Sequence, residues 1–265
     1  MAQHTLYENQ VLENRIESVL TTAIDMNAYM TIDNSLTHEA GMTKAVHVYT
    51  CSEGYAISEV GMGEGNEESI VVTFNTEEYE VTTTQGRFSY FDEQAMKDPM
   101  VVEVGLKAIA EHMTNDLTAK AIAEFGKATL TANYDANGMT FDNVVDAIAK
   151  LNVEDESGLF LLINVADKAG LRKALGEDLK YSEGFARTGY IGSVCGVPVI
   201  VSKAVPSNTA FLATKEAVTC FVKKGSEIEQ ERDANLRKND VYARKVMLVA
   251  LTNKTKVVKL TKKTA

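Results

Sequence analysis

Glycines at alternate positions form the pattern in this sequence that comes nearest to a cofactor-binding turn. Gly61-x-Gly63-x-Gly65 matches part of a dinucleotide fingerprint, which also needs a buried strand before it and an apolar helix after it. Neither is present, and Glu64 and Glu67 would repel a pyrophosphate. The pattern instead predicts the flexible, acidic tip of a β hairpin, because glycine tolerates positive φ and resists ordering.

The other patterns with chemical potential are each incomplete. Asn133-x-Asp135-x-Asn137-Gly138 begins like a calcium loop, but its twelfth position is Val144 where a bidentate Glu is required. The remaining candidates share no ligand spacing or motif context, and they are His4, His38, His47, His112, Cys51, Cys195, Cys220, Gly126-Lys127 and Ser193. The sequence therefore predicts no catalytic residue, no metal and no cofactor, and an α/β enzyme of unknown reaction is a secondary alternative.

Composition restricts the class of protein. The chain has 265 residues, 28.9 kDa, 45% hydrophobic residues, a net charge of −10 and a pI near 5.0. That charge argues against a nucleic-acid binder, which needs a positive surface for the phosphates, although a wall around nucleic acid is allowed. No uninterrupted apolar stretch exceeds six residues, so neither a secretion signal nor a membrane span is predicted. Three cysteines without paired spacing fit a reducing compartment.

Charge is distributed unevenly along the chain. Residues 50–95 contain ten acidic side chains against one basic side chain, whereas residues 215–265 contain thirteen basic against six acidic ones. Opposite polarity on two distant segments suits head-to-tail contact between copies, where complementarity selects the register. The predicted contact residues are Gly61, Gly63, Glu64, Gly65, Glu67 and Glu68 on the hairpin tip, and Lys223, Lys224, Arg237 and Lys238 in the C-terminal third.

The elements that would position these residues begin with a polar arm and a hairpin. Apolar residues recur at helical spacing between Asn9 and Tyr29, which predicts one short helix, and its polar flanks predict a mobile arm. From Ala45 to Tyr90 the sequence is rich in β-branched and aromatic residues on both sides of the glycine tip. This pattern predicts two long strands.

A long amphipathic helix follows. Asp98 and Pro99 occupy N-cap and first-turn positions, and Gly126 stands where a C-cap glycine is expected. Between them runs an apolar stripe of Val102, Leu106, Ile109, Met113, Leu117, Ala121 and Phe125. A helix of this length is a rod of roughly 40 Å, which needs a long surface to lie on.

Strands and helices then alternate, which predicts a mixed sheet with helical cover in an α+β fold. Thr140 is the expected N-cap of the second helix. The predicted segments are a strand at Leu159–Ile163, a helix at Ala166–Leu175, strands at Val197–Val201 and Ala210–Ala213, and β-like segments at Ile228–Arg232, Val241–Leu251 and Lys256–Leu260.

This order of parts resembles the major capsid proteins of tailed bacteriophages, which have the Hong Kong 97-type fold. The most similar local stretch is Gly189–Ser202, followed by Val205-Pro206 and Ala210-Phe211-Leu212. The resemblance implies an N-terminal arm at 1–45, an E-loop hairpin at 46–86, a P-domain at 87–138 with a spine helix at 99–125, an A-domain at 139–221, return strands of the P-domain at 222–250, and a C-terminal strand with a basic tail at 251–265.

The same resemblance implies a structural subunit, not an enzyme. It would form hexamers and pentamers of an icosahedral virion shell around double-stranded DNA, without sequence-specific contact and without a membrane, and would assemble in the bacterial cytoplasm. A separate scaffolding protein and a portal are implied partners. Cross-linking through hairpin lysines is not expected, because no Lys lies between Lys44 and Lys97. An encapsulin-like compartment, which shares the fold but encloses cargo, is the main alternative.

Overall fold

Two β-sheets, a separate β hairpin and one long helix organise the chain. The structure is a computed structural model, and it describes residues 26–51, 57, 59–67, 69–135, 138–153, 155–179 and 192–263. The helices are α1 (Asp92–Lys97), α2 (Met100–Phe125), α3 (Phe141–Leu151) and α4 (Val165–Leu179). The strands are β1 (Thr31–Asp33), β2 (Thr43–Cys51), β3 (Val72–Glu80), β4 (Thr82–Phe91), β5 (Leu130–Tyr134), β6 (Leu159–Asn164), β7 (Ser193–Val194), β8 (Val197–Ser202), β9 (Thr209–Thr214), β10 (Val218–Asp233), β11 (Lys238–Leu251) and β12 (Val257–Lys262).

The first sheet has four strands in the order β1-β10-β11-β4. Strands β10 and β11 form a long antiparallel hairpin, and β4 lies antiparallel to the other edge of β11. The pairing of β10 is interrupted between Val222 and Glu227, where the register shifts. Such bulges bend and twist a long ribbon. Strand β1 pairs with the start of β10, whereas β4 pairs with β11 up to the β10–β11 turn, so three strands lie side by side at either end of the sheet.

The second sheet has six strands in the order β5-β12-β9-β6-β8-β7. Its strand β6 is almost entirely apolar, and all of its residues from Leu159 to Ile163 are buried. A continuous apolar run is expected for a strand covered on both faces. Helices α3 and α4 flank this sheet, and Thr140 accepts a hydrogen bond from the Asn143 amide at 3.4 Å as the predicted cap. The predicted α+β arrangement is confirmed.

Helix α2 has most of the predicted length, but its apolar stripe is buried only in part. Ile109, Leu117, Ala121 and Phe125 are buried, but Met113 is only half-buried. Leu106 is 39% exposed, so the N-terminal half of the stripe borders an open groove.

The ends of α2 also differ in detail from the prediction. The Asp98 Oδ1 atom accepts the Met100 amide at 3.0 Å, which confirms the carboxylate cap. Gly126 follows the helix but has φ of −60°, so it is not there to supply a left-handed conformation.

The strands differ from the prediction in two places. The two long strands predicted between Ala45 and Tyr90 are three, because the hairpin ends at Glu80 and residues 82–86 belong to β4 in the four-stranded sheet. Strand β5 was not predicted, because a five-residue strand of mixed polarity has little periodic signal. It pairs in parallel with β12, so both chain segments belong to the six-stranded sheet.

Part of the predicted arm is held by the core. Met26 and Met30 are fully buried, Leu36 is 2% exposed, and β1 pairs in parallel with the start of β10. Residues 26–36 are therefore anchored, contrary to the prediction of a mobile arm, since isolated apolar side chains in a polar stretch carry no periodic signal. The helix predicted from Asn9 lies, up to residue 25, outside the described residues.

Helix α2 approaches strand β4 so closely that one position must be glycine. A Cβ atom added at Gly105 would lie 2.4 Å from the Cζ atom of Phe88, well inside contact distance. Since real Cβ atoms essentially never come that near, the Phe88 ring would have to move. Gly105 therefore sets the distance between the long helix and the four-stranded sheet.

We expect Gly105→Ala to destabilise the isolated subunit by about 1 to 2 kcal/mol. Overpacking typically costs about 1–3 kcal/mol, and the gain in helix propensity returns up to about 1 kcal/mol. Gly158→Ala is the matched control, because nothing lies within 4 Å of a Cβ atom at Gly158. Denaturant unfolding of both variants measures the difference, and equal stability would show that Gly105 does not set this distance.

Candidate functional site

The β2–β3 hairpin is a two-stranded sheet of its own. Its pairing runs from Thr43↔Glu80 to Cys51↔Val72 without a register shift. Nine residues per strand at about 3.4 Å each give a ribbon of roughly 30 Å. A two-stranded ribbon cannot bury both of its faces, so it is stable only where something packs on it.

One face of the hairpin is fixed at its base by the rest of the chain. Val46 is buried against Val81 and the four-stranded sheet. On the same face the Tyr79 hydroxyl donates to Glu77 at 2.9 Å, and Lys254 forms an ion pair with Glu77. The ammonium of Lys254 and the Tyr79 hydroxyl lower the pKa of Glu77. Burial, followed by Glu77, raises the pKa of Tyr79. The hairpin therefore leaves the core at a defined angle.

The opposite face carries an exposed aromatic cluster. The rings of His47 and Phe74 meet edge to face at 5.2 Å, and those of Tyr49 and Phe74 are 5.9 Å apart. Tyr49 is 64% exposed and Phe74 is 58% exposed, with the exposed Val72 beside them. Three large apolar side chains on one open ribbon face form a patch of the kind that marks a binding surface.

The tip of the hairpin confirms one part of the glycine prediction. Of the three alternating glycines, only Gly63 has a positive φ, at 89°. The Glu64 amide donates to the Gly61 carbonyl at 3.1 Å, which closes a turn with a fully exposed Met62 at its apex. Gly65 and Glu67 follow in exposed, irregular chain, and Glu68 lies outside the described residues. The tip thus presents a methionine and acidic side chains to solvent.

The four predicted basic partners all have contacts in their own chain. Lys223 donates to the carbonyl of Glu39 at 2.8 Å and to that of Gly41. The ion pairs are Lys224–Glu227 at 2.7 Å, Arg237–Glu93 at 2.9 Å and Lys238–Asp240 at 3.2 Å. These basic residues do not meet the hairpin tip within the chain. A contact with the tip of a neighbour would have to compete with these partners.

A polar cluster that the sequence did not predict lies at the outer end of the four-stranded sheet. Arg87 donates twice to Asp240, at 3.2 and 3.0 Å, and Ser89 donates to the same carboxylate. The guanidinium of Arg87, followed by the Ser89 hydroxyl, strongly lowers the pKa of Asp240. Asp240 is about 150 residues away from Arg87 and Ser89 in the chain, so only the pairing of β4 with β11 brings them together.

Next to this cluster a second carboxylate ties β10 to helix α1. Arg232 donates to Asp92 at 2.9 Å, and the Asn239 amide donates to the same side chain at 2.6 Å. Arg232 and then Asn239 lower the pKa of Asp92. These contacts brace the β10–β11 turn, which exposes Leu236.

The described part of the chain contains no group of three or more His, Cys, Asp or Glu side chains that could hold a metal ion. No helix there has the length and apolar character needed to cross a membrane.

Comparison with known proteins gives a consistent result. Residues 75–260 match the family model described as phage capsid protein. The major capsid protein of Staphylococcus phage phiMR11 is 25% identical over 266 residues, covering 96% of this chain and 92% of that protein.

Solved structures share the fold at low sequence identity. A chain of Mycobacterium phage Che8 has a TM-score of 0.63 at 16% identity and covers 90% of this chain and 91% of that chain. The capsid of a native GTA particle has a TM-score of 0.70 at 12% identity, covering 91% and 90%. A virus-like particle from Pyrococcus furiosus has a TM-score of 0.62 at 12% identity, covering 95% and 98%.

The base of the hairpin yields a prediction for one carboxylate. We expect Lys254→Ala to raise the pKa of Glu77, because Lys254 is the largest cause of its lowering. The Glu77–Lys254 ion pair contributes its full stabilisation above the ordinary glutamate pKa. This stabilisation is lost as the pH falls through the lowered pKa of Glu77. Carboxyl NMR titration measures the shift. Lys256→Ala is the control, since Lys256 pairs with Glu216, and equal titration of Glu77 in both variants would contradict the assignment.

Proposed function

The chain belongs to the phage capsid protein family, and from this premise we propose that it forms the hexamers and pentamers of an icosahedral virion shell. It is a major capsid protein, a structural subunit that assembles with copies of itself into capsomers. The shared fold confirms the Hong Kong 97-type prediction. We further propose that the subunit catalyses no reaction, which is in keeping with a structural family.

The observation that carries this proposal is the exposed aromatic face of the hairpin. Tyr49 and Phe74 lie open to solvent on a ribbon of roughly 30 Å. This apolar face is buried only where another molecule covers it. A neighbouring copy is the partner that a shell always provides. We therefore assign the β2–β3 hairpin as the E-loop, which lies on an adjacent subunit.

The other segments receive assignments on the same basis. Helix α2 is the proposed spine helix, and the four-stranded sheet forms the P-domain with it. The six-stranded sheet with α3 and α4 is the proposed A-domain, which now includes β5 and β12. Residues 1–45 form the proposed N-terminal arm, although residues from Met26 onward are attached to the core.

We propose that the shell encloses double-stranded DNA without sequence-specific contact. The net charge of −10 supports a wall that confines DNA instead of binding it. A scaffolding protein and a portal are the further partners proposed, with assembly in the bacterial host cytoplasm. They follow from the family resemblance alone.

An encapsulin-like compartment is the second candidate. Two observations favour considering it: the likeness to the Pyrococcus furiosus virus-like particle, and an apolar groove beside Leu106 of α2. The fold does not separate the two functions, because they differ only in the contents of the shell. The match to the phage capsid family favours the viral shell.

Electron microscopy and nuclease treatment of native particles test the function. We expect closed icosahedral particles whose DNA survives added nuclease. Particles that hold protein cargo and no protected DNA would favour the compartment. A protein that stays monomeric under conditions that assemble related capsids would contradict the shell itself.

The aromatic face generates a prediction about assembly. We expect Phe74→Asp to leave the subunit folded by circular dichroism and to abolish closed shells, because a charge on this face would be buried without a partner against the neighbour. Asn75→Asp is the matched control, since it adds the same charge to the same strand but on the other face. Light scattering and microscopy measure assembly, and equal shell yield in both variants would refute the assignment.

The charged residues generate a second prediction. We propose that Glu64, Glu67 and Glu68 contact basic residues of adjacent subunits, with Lys223, Lys224, Arg237 and Lys238 as the candidates. Each exposed pair contributes only about 0–1 kcal/mol, and salt screens it beyond about 8 Å. Because the candidates already have partners in their own chain, the expected effect is a slower and more salt-sensitive assembly.

Reversal of the three glutamates to lysine tests this contact. We expect shell formation to fall at low and moderate salt while the subunit stays folded, and a charge reversal at the correct basic partner to restore part of it. Assembly equal to that of the parent chain across the salt range would show that the acidic tip is only a solvated surface.

A further inference from the structure

An apolar groove runs along the N-terminal half of helix α2. It is lined by Leu106, Ile109, Ala110 and Met113 from the helix and by Ile228 and Ala243 from the four-stranded sheet. Leu106 is 39% exposed and Ile228 is 68% exposed. The C-terminal half of the same stripe, from Leu117 to Phe125, is buried. In the N-terminal half Ile109 is buried and Met113 is half-buried, so the apolar surface that the described residues leave open is centred on Leu106 and Ile228.

The described chain begins at this groove. Asn27 is one of its lining residues, and Met26 beside it is buried in the cluster that contains Leu117 and Ala121. The 25 residues that precede Met26 therefore enter the structure where the open half of the stripe starts. A segment that leaves this point needs no linker to reach the groove.

The sequence before Met26 has the apolar pattern of a segment that fits this groove. Between residues 11 and 24 the apolar side chains recur at helical spacing, and they are Val11, Leu12, Ile16, Val19, Leu20, Ala23 and Ile24. Placed on a helix, all but Val11 fall on one side, and Asn14, Ser18 and Thr22 fall on the other. Such a stripe is stable mainly when an apolar surface covers it.

The length and charge of residues 11–24 also suit the groove. Fourteen helical residues span about 21 Å, and the stretch from Leu106 to Leu117 spans about 17 Å at 1.5 Å per residue. Lys245 lines the groove, and it has no ion-pair partner within the described residues. On the same helix Glu13 falls between Leu20 and Ile24, and Glu17 falls at the edge of the apolar side, so both carboxylates are placed to offer that partner.

We propose that residues 11–24 of this chain form a helix that packs into the α2 groove of the same subunit, with Leu12, Ile16, Leu20 and Ala23 facing Leu106, Met113 and Ile228. The segment runs alongside α2 and closes the open half of its stripe. This contact is independent of the shell function, because it forms within one subunit.

Hydrogen exchange of the unassembled full-length subunit tests the contact. We expect Ile16→Asp and Leu20→Asp to speed exchange on the order of tenfold in the segment from Leu106 to Leu117 and around Ile228, because loss of a packed partner raises local opening. Ser18→Asp is the matched control, since it adds the same charge on the polar side and should leave exchange unchanged. Strand β6 is the internal reference for global unfolding.

The reciprocal substitution keeps the test decisive if the stripe variants fold poorly. Leu106→Asp should speed exchange within residues 11–24, whereas Asn115→Asp, on the opposite side of α2, should not. Equal exchange rates in both segments, whichever face of the helix carries the substitution, would overturn the proposal. Protection that appears only in assembled shells, or only with added scaffolding protein or cargo peptide, would assign the groove to a partner and would overturn it too.

Discussion

The packing of helix α2 between the two sheets is the contact on which the rest of the structure depends. At its C-terminal end, Phe125 is fully buried and lies 6.1 Å from the rings of both Phe160 and Phe211, which belong to the six-stranded sheet. At its N-terminal end, Gly105 admits the Phe88 ring of the four-stranded sheet. One rigid helix thus packs against both sheets, and its C-terminal half shares one apolar cluster with residues of each.

The packing of α2 against both sheets explains how a shell subunit can have a large exposed surface and still hold one defined conformation. The long β10–β11 ribbon and the β2–β3 hairpin extend from the core that α2 holds together, and each is anchored at its base. Polar contacts add to this, with Glu77 and Lys254 at the base of the hairpin and Arg87 with Asp240 at the outer end of the ribbon. Surface ion pairs contribute little stability individually. They fix direction, which is what an extended contact element needs.

Several features of the chain could be predicted because their physical cause is local. The cap at Asp98, the period of the α2 stripe and the apolar run of β6 depend on neighbouring residues, so the sequence predicted these elements. The acidic tip with Gly63 at positive φ was also a local prediction. The candidate contact surface was predicted only in part, since the acidic tip was identified while the aromatic face of His47, Tyr49 and Phe74 was not.

What the tertiary structure alone decided depends on partners that are far apart in the chain. Strand β5 has little periodic signal of its own and is defined by its pairing with β12, and Arg87 meets Asp240 only because β4 lies beside β11. Both faces of the hairpin carry apolar side chains, so which face is buried followed from the attachment of Val46 to the core. The sequence by itself determined the elements and their order, because capping and periodicity act over a few residues. Their neighbours, and hence the exposed surfaces, were decided by packing that no local pattern encodes.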